Sequence, residues 1–109
     1  MDRVELLSLM DNTVDFLSTN KRNEVKQVQE WLKERKSDEW MEKHFRPPLA
    51  EHGLSVLVGV FSGAESHTVL FDTGISPEGV TINAKRLGLD LAEIEAIVLS
   101  HGHFDHCGG

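Results

Sequence analysis

His101-Gly102-His103-Phe104-Asp105-His106 lies near the end of a 109-residue chain, directly after the apolar run Ile97-Val98-Leu99 and before Cys107-Gly108-Gly109. Three of the chain's six histidines fall within these six residues, with an aspartate among them. At the end of a strand, a period of two predicts that His101 and His103 project to one side. Both imidazoles can then hold one metal ion, with Gly102 letting the backbone bend between them. Asp105 and His106 follow where the chain must turn, and they offer an oxygen and a nitrogen to a second ion. Imidazole and carboxylate without thiolate suit zinc, and also accept iron or manganese. Two such ions about 3.5–4 Å apart can share a bridging water and lower its pKa toward about 7, which is hydrolytic chemistry. A histidine-rich tract can also bind metal adventitiously, but here the spacing, the strand ahead and the glycine pair behind all agree.

Upstream of the motif the chain reads as alternating strands and helices. Asp90 can cap a short helical turn through Glu93, and Pro77 to Leu87 reads as a helix stopped by Gly88. Leu54 to Phe61 and His67 to Phe71 are apolar runs flanking Ser62-Gly63-Ala64-Glu65-Ser66, which predicts a β-hairpin with a five-residue loop. Neither run alternates cleanly, so each strand is expected to be covered on both faces. Asp72-Thr73-Gly74 closes the hairpin.

Further back, Val25, Val28, Trp31 and Leu32 share one arc at helical spacing, which predicts an amphipathic helix over 21–36. Ser37-Asp38-Glu39 can cap a second short helix carrying Trp40 and Met41, ended by Pro47-Pro48. Val4 to Met10 is a first strand, closed by the turn pair Asp11-Asn12.

Composition narrows the function classes. The chain is 39% hydrophobic and 27% charged, as expected of a single globular domain. Its net charge of −7 argues against a nucleic-acid partner held by general electrostatics. Residues 1–50 hold ten acids and nine bases, whereas residues 51–109 hold eight acids and two bases. That acidic half suits cation binding, and surface carboxylates kept for solubility would look the same. Cys107 is the single cysteine, so no intramolecular disulfide is possible. The acidic N-terminus lacks the basic start and apolar run of a signal peptide, and Val56 to Phe61 is too short to span a membrane. The expected location is cytoplasmic.

The His-x-His-x-Asp-His motif after a strand resembles the signature of the metallo-β-lactamase superfamily. Leu70-Phe71-Asp72-Thr73-Gly74 is similar to that superfamily's upstream strand motif. Asp11-Asn12, Leu49-Ala50-Glu51-His52-Gly53-Leu54-Ser55, Asn83-Ala84 and Leu99-Ser100-His101 resemble the dihydropterin ribofuranosyl-aminobenzene phosphate synthase-like subfamily. The resemblance implies an α/β fold, the N-terminal half of an αββα sandwich, with a helical insertion at about 21–46. It implies one partial domain over residues 1–109, cut off after its first metal-binding motif, because superfamily members complete the site with ligands further downstream.

It also implies a metal-dependent hydrolase acting on a small ester, lactone, thioester or phosphoester-type substrate with two divalent ions, zinc foremost. His101 and His103 would bind the first ion, Asp105 and His106 the second, with Asp105 also the candidate catalytic residue. Asp72 would support them by orienting a ligating imidazole, or be an ordinary strand-ending turn residue. Cys107 stands where a small residue is more usual. Its thiol could reach a metal or be packed at the start of a helix. His52 is either a pocket residue or structural, while His44 and His67 have no supporting context. Trp31 and Trp40 are helix packing, a pocket cap, or an exposed patch by which the insertion would recruit a partner. A catalytically incomplete metal-binding fragment is the other alternative. Half a sandwich would leave apolar strand faces open, so self-association of the chain is expected.

Overall fold

The computed structural model describes residues 2–15 and 18–109. The apolar runs pair as expected and carry everything else. β1 (Arg3–Met10), β2 (Ser55–Ser62) and β3 (Glu65–Phe71) form an antiparallel meander, and β4 (Ala96–Val98) adds to β3 in parallel, in the order β1-β2-β3-β4. The result is a mixed α/β architecture consistent with part of an αββα sandwich. The hairpin is tighter than predicted. Ser62 pairs with Glu65, leaving a two-residue turn of Gly63-Ala64. Gly63 has φ 58 at the first turn position, which matches the strand twist and lets pairing run to the tip.

Helices α1 (Val28–Lys33), α2 (Asp38–His44) and α3 (Gly79–Arg86) occupy one face of the sheet. There Leu9, Met10, Leu32, Leu70, Val80, Ala84 and Leu87 form the buried core. Trp31, Trp40 and Met41 pack against that core, so the tryptophans are helix packing and form no exposed patch for a partner. α2 starts as expected, with Ser37 Oγ accepting from Trp40 N. It ends at His44, before the proline pair, where Phe45 turns extended. Leu87 N and Leu89 N close α3 onto Asn83 O and Ala84 O around Gly88, and Asp90 caps the 3-10 turn Leu91–Glu93.

The predicted helix over 21–36 is much shorter in the structure. The Asn20 side chain donates to the carbonyls of Arg22 and Val25 and accepts from Arg22 N, which diverts that backbone from helical bonding. Val25 gains no burial to oppose this, being 49% exposed.

The opposite face of the sheet has no cover among the described residues. The register puts Leu6, Val58 and Val69 in one row and Val56, Phe71 and Val98 in the next. Leu6 is 71% exposed, and Val4 and Val98 are exposed too. The strands are therefore apolar on both sides as read, but covered on one. Among the described residues no helix is long and apolar enough to cross a membrane. An open apolar cleft of about 540 Å³ lies between α3 and β4, lined by Leu70, Val80, Leu91, Ile94 and Ile97. None of the motif histidines or Asp105 lines it.

Candidate metal centre

The motif sits beyond the ends of β3 and β4. β4 stops at Val98, so His101 and His103 lie in the following loop rather than on the strand, and a period of two does not account for their proximity. Their rings meet edge-on with centroids 4.6 Å apart, and the His106 ring is 4.3 Å from His101. Gly102 is not squeezed, since a side chain there would meet open space. His103 opens α4 (Phe104–Cys107), the single turn that carries Asp105 and His106. Asp105 Oδ2 lies 3.6 Å from His106 Nε2.

What holds this turn in place is the end of β3. Asp72 is fully buried and takes a left-handed backbone at φ 59, a conformation that costs a non-glycine residue about 1 kcal/mol or more. Its N–H donates to Val98 O, which ties it to β4. Its carboxylate then gathers three donors. Oδ1 accepts from Ser100 N at 2.7 Å, and Oδ2 accepts from Ser100 Oγ at 2.7 Å and from His106 Nδ1 at 2.7 Å. Burial pushes the Asp72 carboxyl up, but these hydrogen bonds outweigh it and hold the group below its ordinary value. A carboxylate can only accept, so His106 Nδ1 carries the proton and Nε2 keeps its lone pair. The Asp72 side chain thus ties the end of β3 to both Ser100 and His106.

The chain after the motif packs equally closely. Thr73 N donates to His106 O, Gly108 N to Gly74 O and Gly109 N to Thr73 Oγ1. A side chain on Gly108 would run into the Ile75 backbone, which explains a glycine there. Cys107 departs from expectation. It ends the helix turn instead of starting it, and it is exposed, with Sγ 3.8 Å from Gly102 O. A one-turn helix has no interior in which to pack it.

A second support comes from residues 49–54. Leu54 N donates to Asp105 O, and Gly53 sits so close to that carbonyl, at φ 139, that a Cβ would collide with it. This loop is pinned at three points. Asn12 Oδ1 accepts from Gly53 N at 2.9 Å. Glu51 accepts from Ile75 N, Ser76 N and Ser76 Oγ. Burial raises the Glu51 pKa and these bonds lower it, with a net lowering. Buried Asn83 on α3 spans Leu9 O, Leu49 O and Leu49 N.

The loop leaves His52 pointing outward, 69% exposed, with Nε2 3.2 Å from Asp105 Oδ2, so His52 does border the site. His44 lies instead against Trp40, and His67 on β3 pairs with Glu95, just ahead of β4. Sequence reasoning gave Glu51, Asn83, Asn12 and Ser100 no role of their own. The available signal was a polar residue set among the apolar neighbours of α3, as Asn83 is beside Ala84.

Asp105 and His106 present an oxygen and a nitrogen to one point. The 3.6 Å between Asp105 Oδ2 and His106 Nε2 is close to the roughly 3.4 Å edge of a tetrahedron whose centre lies about 2.0–2.1 Å from each ligand. Among the described residues no group of three or more His, Cys, Asp or Glu side chains is placed to hold one ion.

Residues 49–109 match the metallo-beta-lactamase superfamily, and the chain belongs to that family. Among curated relatives, it is 43% identical over 63 residues to the 7,8-dihydropterin-6-methyl-4-(beta-D-ribofuranosyl)-aminobenzene-5'-phosphate synthase of Methanocaldococcus jannaschii, covering 58% of this chain and 21% of the relative. It is 38% identical over 61 residues to an uncharacterized protein of the same organism, covering 55% of this chain and 22% of that protein. The chain spans roughly a fifth of the length of either relative.

Proposed function

We propose that the protein is a metal-dependent hydrolase, with His101 and His103 holding one divalent ion and Asp105 and His106 a second. Zinc suits the nitrogen and oxygen donors, and iron or manganese would also be accepted. The observation that carries this reading is the buried Asp72 carboxylate. It accepts a hydrogen bond from His106 Nδ1–H, which in the neutral ring leaves Nε2 free, 3.6 Å from Asp105 Oδ2. Ions held by these residues would supply activated water and stabilise charge developing on a substrate. The chain's own contribution is to orient the donors. Asp72 fixes His106, the 49–54 loop buttresses Asp105, and His52 borders the mouth where a substrate would enter.

The substrate class we favour is a small ester, lactone, thioester or phosphoester. One relative is named as a synthase of a ribofuranosyl-aminobenzene phosphate, which supports a small phosphorylated molecule as one substrate to try. Two donors per ion also support a second reading, in which these 109 residues alone bind metal weakly and are catalytically incomplete, since tight zinc sites typically offer three or four protein ligands.

The test measures metal content and ester or phosphoester hydrolysis in wild type, His101→Ala and Asp105→Ala. Both substitutions should abolish hydrolysis and lower bound metal while the far-ultraviolet spectrum is unchanged, because the side chains sit on a loop and a single helix turn. Activity within a fewfold of wild type in either variant would refute the assigned roles.

A further inference from the structure

Ser100 precedes the motif, and its hydroxyl lies between two groups that do not touch each other. Oγ is 2.7 Å from Asp72 Oδ2 on one side and 2.8 Å from His101 Nδ1 on the other. We propose that Ser100 is a positioning residue that passes the acceptor character of Asp72 on to His101, so that one buried carboxylate orients one histidine from each metal pair. The consequence for metal rests on the hydrolase reading above. The orientation itself does not.

The direction of each bond follows from a proton count. Asp72 can only accept, and Oδ2 already accepts a hydrogen bond from His106 Nδ1–H. Ser100 has one hydroxyl proton, and it goes to Oδ2. The oxygen therefore faces His101 with lone pairs only, so His101 Nδ1 must be the donor. That fixes the proton on Nδ1 and leaves Nε2 bare, the same state that Asp72 imposes directly on His106.

Ser100 is itself held for this task. Its N–H donates to Asp72 Oδ1 while its Oγ–H donates to Oδ2, so both oxygens of one carboxylate grip one residue. The bond to Ser100 Oγ is the only hydrogen bond that His101 makes among the described residues. Removing the hydroxyl would leave the backbone bond to Oδ1 in place and release the ring alone.

The first test needs no metal. Nitrogen-15 NMR of the histidine side chains in the metal-free protein, at a pH where the imidazoles are neutral, reads the tautomers. His101 should be protonated on Nδ1 in wild type. In Ser100→Ala its two ring nitrogens should move toward a common averaged shift while His106 is unchanged, and Ser100→Thr should restore the wild-type pattern. His101 protonated on Nε2 in wild type would overturn the proposal, and this needs no variant to fold. So would an unchanged His101 in Ser100→Ala.

The second test is zinc affinity by competition with a chromophoric chelator. Ser100→Ala should bind about tenfold more weakly, the lower end of the range for changes one shell out from a ligand, and Ser100→Thr should bind within twofold of wild type. If the NMR pattern holds but zinc binding is the same in wild type, Ser100→Ala and His101→Ala, the positioning role stands and the metal reading fails. If His101→Ala weakens zinc binding and Ser100→Ala does not, the metal reading stands and the proposed effect of Ser100 is refuted.

Discussion

Replacing Asn83 by alanine should cost about 3–4 kcal/mol of folding stability, and the figure can be built from the contacts. Asn83 is fully buried and makes three hydrogen bonds to backbone, donating to Leu9 O and Leu49 O at 2.9 Å and accepting from Leu49 N at 2.7 Å. Leu49 is 42% exposed, so its two groups can turn to water, and each lost bond there costs about 1 kcal/mol. Leu9 is 1% exposed and lies where the β1–β2 register shifts, so its carbonyl has no solvent to turn to. An unsatisfied buried acceptor of that kind costs about 2 kcal/mol. Alanine's better helix propensity returns about 0.5 kcal/mol.

The sum is a large part of the 5–15 kcal/mol typical of a whole domain. Urea denaturation of both proteins measures it, with the slope of the transition compared to confirm that the unfolded states match. A loss below 1 kcal/mol with equal slopes would mean that this bridge does not hold the loop in solution. The account of how Asp105 is buttressed would then fall.

Gly53→Ala should destabilise by about 1–3 kcal/mol for the backbone conformation alone, and should displace α4, because the new methyl meets Asp105 O. A thermal melt and a zinc titration on the same sample check both effects, and a variant matching wild type in both would contradict the packing. Asp72→Asn should keep the fold, since asparagine tolerates positive φ. It places an amide where His106 Nδ1–H needs an acceptor, so zinc affinity should fall about 10–100-fold, and an unchanged affinity would refute the orienting role.

Asp72 and Glu51 both have lowered pKa values in the fold, below their ordinary 3.8 and 4.5. Each therefore adds stability that is fully present above its unfolded value and is lost as pH falls through its folded value. Their contribution to melting temperature should be fully present above about pH 5 and lost below about pH 4, with a smaller drop there in Glu51→Gln. An equal drop in that variant would count against the Glu51 clamp.

Short-range features were open to reading from the chain alone. Apolar runs at 54–61 and 67–71 encode strands because side chains alternate across a pleated backbone, whatever packs on them later. Ser37 and Asp90 signal helix starts because a cap bonds its own next residues. His101, His103, Asp105 and His106 are close in sequence, so the chain alone shows them as neighbours.

The failures were also local in cause. Nothing in the periodicity of Val25 and Val28 shows that Asn20 captures the backbone ahead of them, or that Val25 has nothing to bury against. Ring proximity and bond direction at the site needed the tertiary fold. Asp72 lies 34 residues from His106 and 28 from Ser100, and Asn83 lies 74 from Leu9. A hydrogen bond across such separations is set by how the sheet and helices pack, and it leaves no periodic trace in the chain. The donor types were therefore written in the motif, while the hydrogen bonds that hold Ser100 and His106 were placed by a strand end brought in by packing.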